Sequence, residues 1–279
     1  MPVVSVKGTA MALAPVFHGG NEKTGSVVLL NRLRFIVDGK PLDVPIISGN
    51  QVRGRIRRLL TRDFLELAGF KMDLSQKKDQ KLYHTLFAGG VLTEAEEESG
   101  TVDLTLKNKI TEYVLPVRLL GCSYANQMIE GRLIVSHMLP VCRELRDYTG
   151  IDSETSFYQL VTHAFQTRRD ELRLERPKDE QAVQMMIEYE CFAPGTMFYH
   201  EFILETTSQS LELDLSTLYR AVQLWKSEPY IGGKSSVGFG KLKLEYGFPQ
   251  GTSEKTYLEF IEKNKDKILE ALNELRGAL

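Results

Sequence analysis

Between Pro45 and Phe64 the chain reads PIISGNQVRGRIRRLLTRDF, and five arginines (Arg53, Arg55, Arg57, Arg58 and Arg62) fall within ten residues with no acid among them. The chemistry such a run can do is anion binding. Ser48, Gly49 and Asn50 form a small-residue turn after an apolar strand end, and Asn50 is expected to cap the helix that follows. The free N–H groups of the first turn and the helix dipole then favour a phosphate there, and Arg53 and Arg57, one turn apart, can both reach it. Val52, Ile56, Leu59, Leu60 and Phe64 recur at helical spacing and belong inside, which leaves Arg55, Arg58 and Arg62 on the wet face. The same pattern also fits a plain packing helix with a solvated arginine face.

A second anion-binding pattern lies near the other end. Tyr230 to Leu244 reads YIGGKSSVGFGKLKL, with Gly232, Gly233, Gly238 and Gly240 around Lys234, Ser235 and Ser236. Glycines let backbone N–H groups approach a phosphate closely, and the lysine and hydroxyls add donors. The spacing is not that of a nucleotide P-loop, because the segment runs into an alternating strand rather than opening a helix on Gly-Lys-Ser. A glycine-rich turn before an edge strand is the competing reading. The five histidines, His18, His84, His137, His163 and His200, have no metal-ligand spacing, so no metal or cofactor is expected.

These segments sit in a chain of 279 residues with a net charge of −2 and a pI near 6.3. Any nucleic-acid surface is therefore a local patch and not a global field. Acids gather elsewhere, as in Glu94, Glu96, Glu97 and Glu98, a run that also reads as a solvated loop. Cys122, Cys142 and Cys191 are odd in number and lie in apolar contexts without CxxC spacing, as expected of reduced core thiols in a cytoplasmic protein. No secretory leader or long apolar span is read, so no membrane partner is expected.

The elements that must position the two patterns are read as follows. Val3 to Ala14 alternates as a strand, Val27 to Val37 is a strand entering a turn at Asp38-Gly39-Lys40-Pro41, and the arginine helix completes a β-β-α run. Residues 71–111 are polar with short helical stretches. Val114 to Leu120, a short helix, and Arg132 to Leu139 return to the core. Residues 163–187 are polar and rich in both charges. Met185 to Phe192 and Thr196 to Thr206 read as a hairpin around Pro194-Gly195, Leu215 to Lys226 as a helix, and Ser253 to Leu275 as one amphipathic terminal helix. The interleaving suits an α+β, ferredoxin-like core with two insertions.

Four segments, in order, resemble the RAMP superfamily of CRISPR-associated proteins, and within it the group that forms the repeating backbone of guide-RNA effector complexes. They are VFHGG (Val16 to Gly20), PIISGNQVRGRIR, LLGCSYANQMIEGRLIVSHML (Leu119 to Leu139) with FAPGTMFYHEFILE (Phe192 to Glu205), and IGGKSSVGFGK. The resemblance covers most of residues 1–247. It implies a ferredoxin-like (RRM-like) palm over residues 1–70 and 112–250, a helical insertion over 71–111, a thumb hairpin over 163–187 within the palm, and a C-terminal helix over 251–279. It further implies guide-RNA (crRNA) binding by His18, Gly19, Gly20 and Asn21, by Ser48, Asn50, Arg53 and Arg57, by Arg168 and Arg169, and by Gly232, Gly233, Lys234, Ser235 and Ser236. Leu172 or Leu174 would wedge beside a displaced nucleotide. Implied partners are the guide RNA, target DNA or RNA paired to it, head-to-tail copies of this chain, and other CRISPR effector subunits, in systems nearest to type IV or type I-D. For His18 a plain turn histidine, and for 163–187 a mobile charged loop, stay open as readings.

Cleaving relatives carry an aspartate between the VFHGG-like segment and the basic helix. Here that stretch reads Val28, Leu29, Leu30, Asn31, Arg32, and asparagine cannot act as a proton-accepting base. Asp38 and Asp43 read as turn formers. The expectation is a non-enzymatic binding subunit with no catalytic residue. The alternatives are a metal-dependent endoribonuclease of the same superfamily, cutting target or precursor RNA, and a phosphate-binding ferredoxin-like domain that forms no polymer.

Overall fold

The computed structural model describes residues 2–24, 27–90, 103–124, 127–168 and 185–279. Strand β1 (Val3–Ala12) is followed by β2 (Gly19–Thr24), β3 (Val27–Leu30), β4 (Arg32–Val37) and β5 (Lys40–Pro45). The stretch expected as one strand over Val27 to Val37 is two, because Asn31 turns its backbone aside: its N–H donates to the His18 carbonyl at 2.9 Å and its carbonyl accepts from Ile46 at 2.9 Å. β4 and β5 form a hairpin whose turn residues, Asp38 (φ 49°) and Gly39 (φ 73°), both take the left-handed conformation that a tight two-residue hairpin needs.

Helix α1 (Gly49–Ala68) starts one residue pair earlier than the sequence suggests. Ser48, extended at φ −65° and ψ 145°, is the cap, its hydroxyl accepting from the N–H of Gln51; Asn50 lies inside the first turn. The helix ends at Gly69, which is left-handed and returns its N–H to Glu66 and Leu65. Next come α2 (Lys77–Tyr83), running into a π-helical turn over His84–Ala88, then α3 (Leu104–Tyr113) and α4 (Leu115–Leu120). After Gly121 comes a two-stranded hairpin of β6 (Cys122–Tyr124) and β7 (Gln127–Ile129). β8 (Leu133–Val135), β9 (Leu139–Pro140), the single turn α5 (Arg146–Thr149), β10 (Val161–Arg168), β11 (Met185–Phe192), β12 (Met197–Glu205), α6 (Leu211–Ser227) and β13 (Leu242–Tyr246) complete the body.

One sheet has the order β13-β1-β12-β8, with β9 also on β12. Taken with α1 and α6, its chain path is β1-α1-β8-β12-α6-β13, and every pairing is antiparallel. Val6, Ala10, Phe198, Phe202, Leu204, Leu242 and Leu244 bury the sheet face on which Val52, Ile56, Leu60 and Phe64 of α1 and Leu218, Val222 and Trp225 of α6 join one core. A second sheet, β10-β11-β3-β2, stands beside it. The segments flanking Pro194-Gly195 are therefore not a hairpin. Gly195 (φ 91°) makes the turn, but β11 stays in the second sheet and β12 crosses to the centre of the first. β11 instead pairs with β10, from Val161↔Phe192 out to Arg168↔Met185.

The terminal helix is two, α7 (Lys255–Lys263) and α8 (Lys265–Gly277), broken at Asn264. The Asn264 side chain donates to the Phe260 carbonyl at 2.9 Å, the local bond by which asparagine competes with a helix interior. Tyr257, Ile261, Ile268, Leu272 and Leu275 are still buried in the main core. Among the described residues no helix is long and apolar enough to cross a membrane.

Candidate nucleic-acid interface

Three of the sequence patterns meet on one surface. Phe17 and Gly233 form an antiparallel bridge, with the Gly233 N–H donating to the Phe17 carbonyl at 2.9 Å. Gly240 donates to the Pro15 carbonyl at 2.8 Å, and Val16 exchanges two backbone bonds with Phe192 at 3.0 and 2.9 Å. The VFHGG segment is thus strung between the glycine loop and the base of the β10–β11 hairpin. Its next residue, His18, reaches the arginine helix: Nε2 lies 3.1 Å from the Ser48 hydroxyl. Burial lowers the His18 pKa, and the same Ser48 oxygen accepts the Gln51 N–H at 3.3 Å. The Gly49 N–H is taken by Nδ1 of His137 at 3.0 Å. Of the first-turn donors expected to hold an anion, only that of the exposed Asn50 has no partner among the described residues.

The glycine loop turns on residues of positive φ. Gly232 (φ 80°) and Gly238 (φ 89°) are left-handed, and so is Lys234 (φ 64°); Gly233 is not. A side chain at position 232 would stand 2.3 Å from the Phe17 carbonyl, whereas one at 233 would make an ordinary 3.4 Å contact with the Phe17 ring. Ser235 and Ser236 are exposed at the tip. Lys234 points inward. Its ammonium lies 3.8 Å over the Tyr189 ring and donates to Oε1 of Gln166 at 2.7 Å, and Tyr189 meets Phe17 edge-on at 5.1 Å. The sequence reading missed Tyr189 and Gln166. The period of two in Ile187, Tyr189 and Cys191 marks one face of β11 and could have found the ring.

Arg53 and Arg57 do not face the helix start. Arg53 donates to the carbonyls of Leu133 (3.0 Å) and Leu120 (2.6 Å), and Arg57 to those of Gly121 (2.6 Å) and Leu120 (2.8 Å). Both guanidiniums satisfy the open C-terminal carbonyls of α4, a demand set by buried backbone groups. Arg57 is only 7 % exposed; burial, then the neighbouring Arg53 charge, pushes its pKa down to about 10, still cationic at neutral pH. In this structure the pair therefore faces the carbonyls of residues 120, 121 and 133 and not the helix start where the phosphate was expected. The two line a cleft of about 540 Å³ with β6, β7 and β8.

Other candidates separate in space. Gly19, Gly20 and Asn21 open β2, and Arg168 ends β10. Arg169, Leu172 and Leu174, and the glutamates at 94 and 96–98, lie outside the described residues. Asp38 sits in the β4–β5 turn, while Asp43 is mid-strand and paired bidentately with Arg34 at 2.9 and 2.8 Å. The Arg34 hydrogen bond lowers the Asp43 pKa, so this carboxylate is a poor proton acceptor. Arg32 and the Leu30 N–H are bound by the buried Glu190, which ties β3 and β4 to β11.

What this arrangement can do is hold an extended anionic chain across a seam of backbone loops, histidine and exposed hydroxyls. The sequence profile of the RAMP superfamily matches residues 12–243, from the end of β1 through the glycine loop to β13. The chain belongs to the RAMP superfamily. Among solved structures, this RAMP chain is similar to a chain described as "Type IV-B CRISPR Complex", with a TM-score of 0.58 and 17 % identity over 90 % of this chain and 96 % of that one. At that identity the likeness is one of fold. No curated protein matches it.

Proposed function

We propose that this RAMP protein is a guide-RNA-binding backbone subunit of a CRISPR effector complex, of type IV, working in the cytoplasm as a binding protein. The observation that carries the reading is the convergence of Phe17 and His18, the Ser48–Asn50 helix start, and the loop from Gly232 to Ser236 at the base of the β10–β11 hairpin. The path β1-α1-β8-β12-α6-β13, with spatial order 4-1-3-2, supports a ferredoxin-like palm. α2 and α3 supply the helices of the 71–111 insertion, and the β10–β11 pairing supports a thumb whose stem begins near Val161 and returns to Phe192. Such a subunit binds the guide backbone without regard to sequence, while pairing between guide and target DNA or RNA supplies specificity. Copies joined head to tail need not close, so they extend along the guide beside other effector subunits.

The test is binding of labelled single-stranded RNA, followed by light scattering on RNA long enough for several copies. Sequence-independent, salt-sensitive binding with mass growing along the RNA is expected. A protein that ignores RNA at low salt, or stays monomeric on long RNA, overturns the reading.

A further inference from the structure

Glu190 of β11 is only 6 % exposed, and burying a charge carries a desolvation cost that a well-packed apolar side chain would avoid. Its carboxylate is committed to one short stretch of chain. Oε2 accepts the Leu30 N–H at 2.7 Å and Nη1 of Arg32 at 2.8 Å, while Oε1 accepts Nη2 of Arg32. Arg32 also donates from Nη1 to the Leu30 carbonyl at 3.3 Å. One ion pair therefore closes both polar groups of the Leu30 backbone.

The sheet itself gives this end of β3 little hold. Its parallel pairing with β11 is a single register pair, Tyr189↔Val28, and its antiparallel pairing with β2 slips between Gly19 and Lys23. Beyond Leu30 the chain turns at Asn31, whose backbone bonds two segments of the candidate interface. The Asn31 N–H donates to the His18 carbonyl, and the Asn31 carbonyl accepts from Ile46, two residues before Ser48, each at 2.9 Å. Gly20 lies against the same corner: a side chain there would stand 3.1 Å from the Asn31 Cα and 3.3 Å from the Leu30 carbonyl oxygen. The circuit closes where Nε2 of His18 lies 3.1 Å from the Ser48 hydroxyl. The Asn31 corner thus sets the spacing between the VFHGG turn and the helix start, and Glu190 holds both neighbours of Asn31.

We infer that Glu190 is a positioning residue for RNA binding: by fixing Leu30 and Arg32 it places the Asn31 corner, and so holds the His18 turn at its distance from the Ser48 helix start. Glu190 touches no RNA itself. The inference rests on the guide-RNA reading. A brace for the second sheet alone is disfavoured, because both partners of Glu190 are immediate neighbours of the residue that bridges the two segments.

The experiment takes two readings on Glu190→Gln, which keeps an acceptor for the Leu30 N–H and removes the charge. One is binding of fluorescein-labelled oligouridine, in a length for one copy, over a salt series; the other is the NMR titration of the His18 ring in the RNA-free protein. The folded variant is expected to bind about tenfold more weakly with an unchanged salt slope, since no phosphate contact is lost. The His18 ring, whose pKa burial holds below 6.5, should titrate higher as the turn loosens. Loss of a carboxylate charge alone moves a histidine pKa down, so a rise reports the turn. Wild-type affinity in the folded variant, or a His18 titration that stays or falls, overturns the positioning role and leaves the RNA reading standing. A salt slope that falls with the affinity means a lost ion contact to RNA, and the inference fails. If Glu190→Gln does not fold, Arg32→Lys decides: it keeps a cation on the carboxylate without the bidentate fork. About a threefold loss at unchanged slope, with the same rise at His18, is then expected, and the absence of either overturns the role. Wild type that binds no RNA defeats the guide-RNA reading itself.

Discussion

The ammonium of Lys234 lies 3.8 Å above the ring of Tyr189, and this contact, with the bond from the same ammonium to Gln166, joins the glycine loop to the hairpin that carries β10 and β11. Lys234 makes it from a left-handed backbone (φ 64°), a conformation that costs a non-glycine residue about 1 kcal/mol or more. The cation–π contact contributes about as much. Lys234→Ala keeps the strain and loses the contact, so urea unfolding should show a loss of about 1 kcal/mol. Lys234→Gly loses both and should be the more stable of the two variants. Equal stabilities would show that the loop backbone relaxes when the lysine is removed.

Gly232 is the position where the loop tolerates least. Its positive φ and the 2.3 Å approach to the Phe17 carbonyl leave no space for a methyl group. Gly232→Ala should cost more than about 2 kcal/mol and weaken RNA binding with it, while Gly233→Ala, with only a ring contact at 3.4 Å, should change both little. Paired melting curves and binding isotherms check this, and a tolerant position 232 would detach the glycine loop from the VFHGG segment.

How far the sequence could be read depends on whether the signal is local. Helix α1 announces itself through Val52, Ile56, Leu60 and Phe64, and the β4–β5 turn through Asp38-Gly39, because spacing and turn chemistry act within a few residues. The partners of Arg53 and Arg57 were hidden for the opposite reason: they are carbonyls at residues 120, 121 and 133, and no local pattern reveals an acceptor that distant. Asn50 lost the cap to Ser48 because both are good caps two residues apart, and the Val52 pattern fits either start. The split of β11 and β12 between sheets was hidden because Pro194-Gly195 turns the chain equally well within a hairpin or between sheets.

Arg57 should therefore behave as a structural residue. Arg57→Ala leaves the carbonyls of Gly121 and Leu120 without that donor in a buried setting, and a cost of about 3 kcal/mol is expected. The salt slope of RNA binding in the folded fraction should not change. A stable Arg57→Ala protein with a smaller salt slope would return this arginine to the phosphate backbone.

The last prediction concerns pH and rests on His200, a fully buried residue of β12 whose Nδ1 lies 2.9 Å from the Tyr246 hydroxyl. Burial, with a small further push from His137 and a partial offset from the Ser136 backbone, lowers its pKa from 6.5 to about 3. The unfolded ring takes up a proton below 6.5 while the folded ring stays neutral until about 3, so between those values the unfolded state binds the extra proton. Stability contributed by this site is thus fully present above 6.5 and declines as the pH falls towards 3, by up to about 1.4 kcal/mol per pH unit. His18, also lowered by burial, acts in the same direction. His200→Gln removes the titrating group and leaves a polar side chain for Tyr246. The drop in urea midpoint between pH 7 and pH 5 should shrink in that variant relative to wild type. An unchanged drop would mean that His200 is protonated, or reached by water, in the folded protein at pH 5.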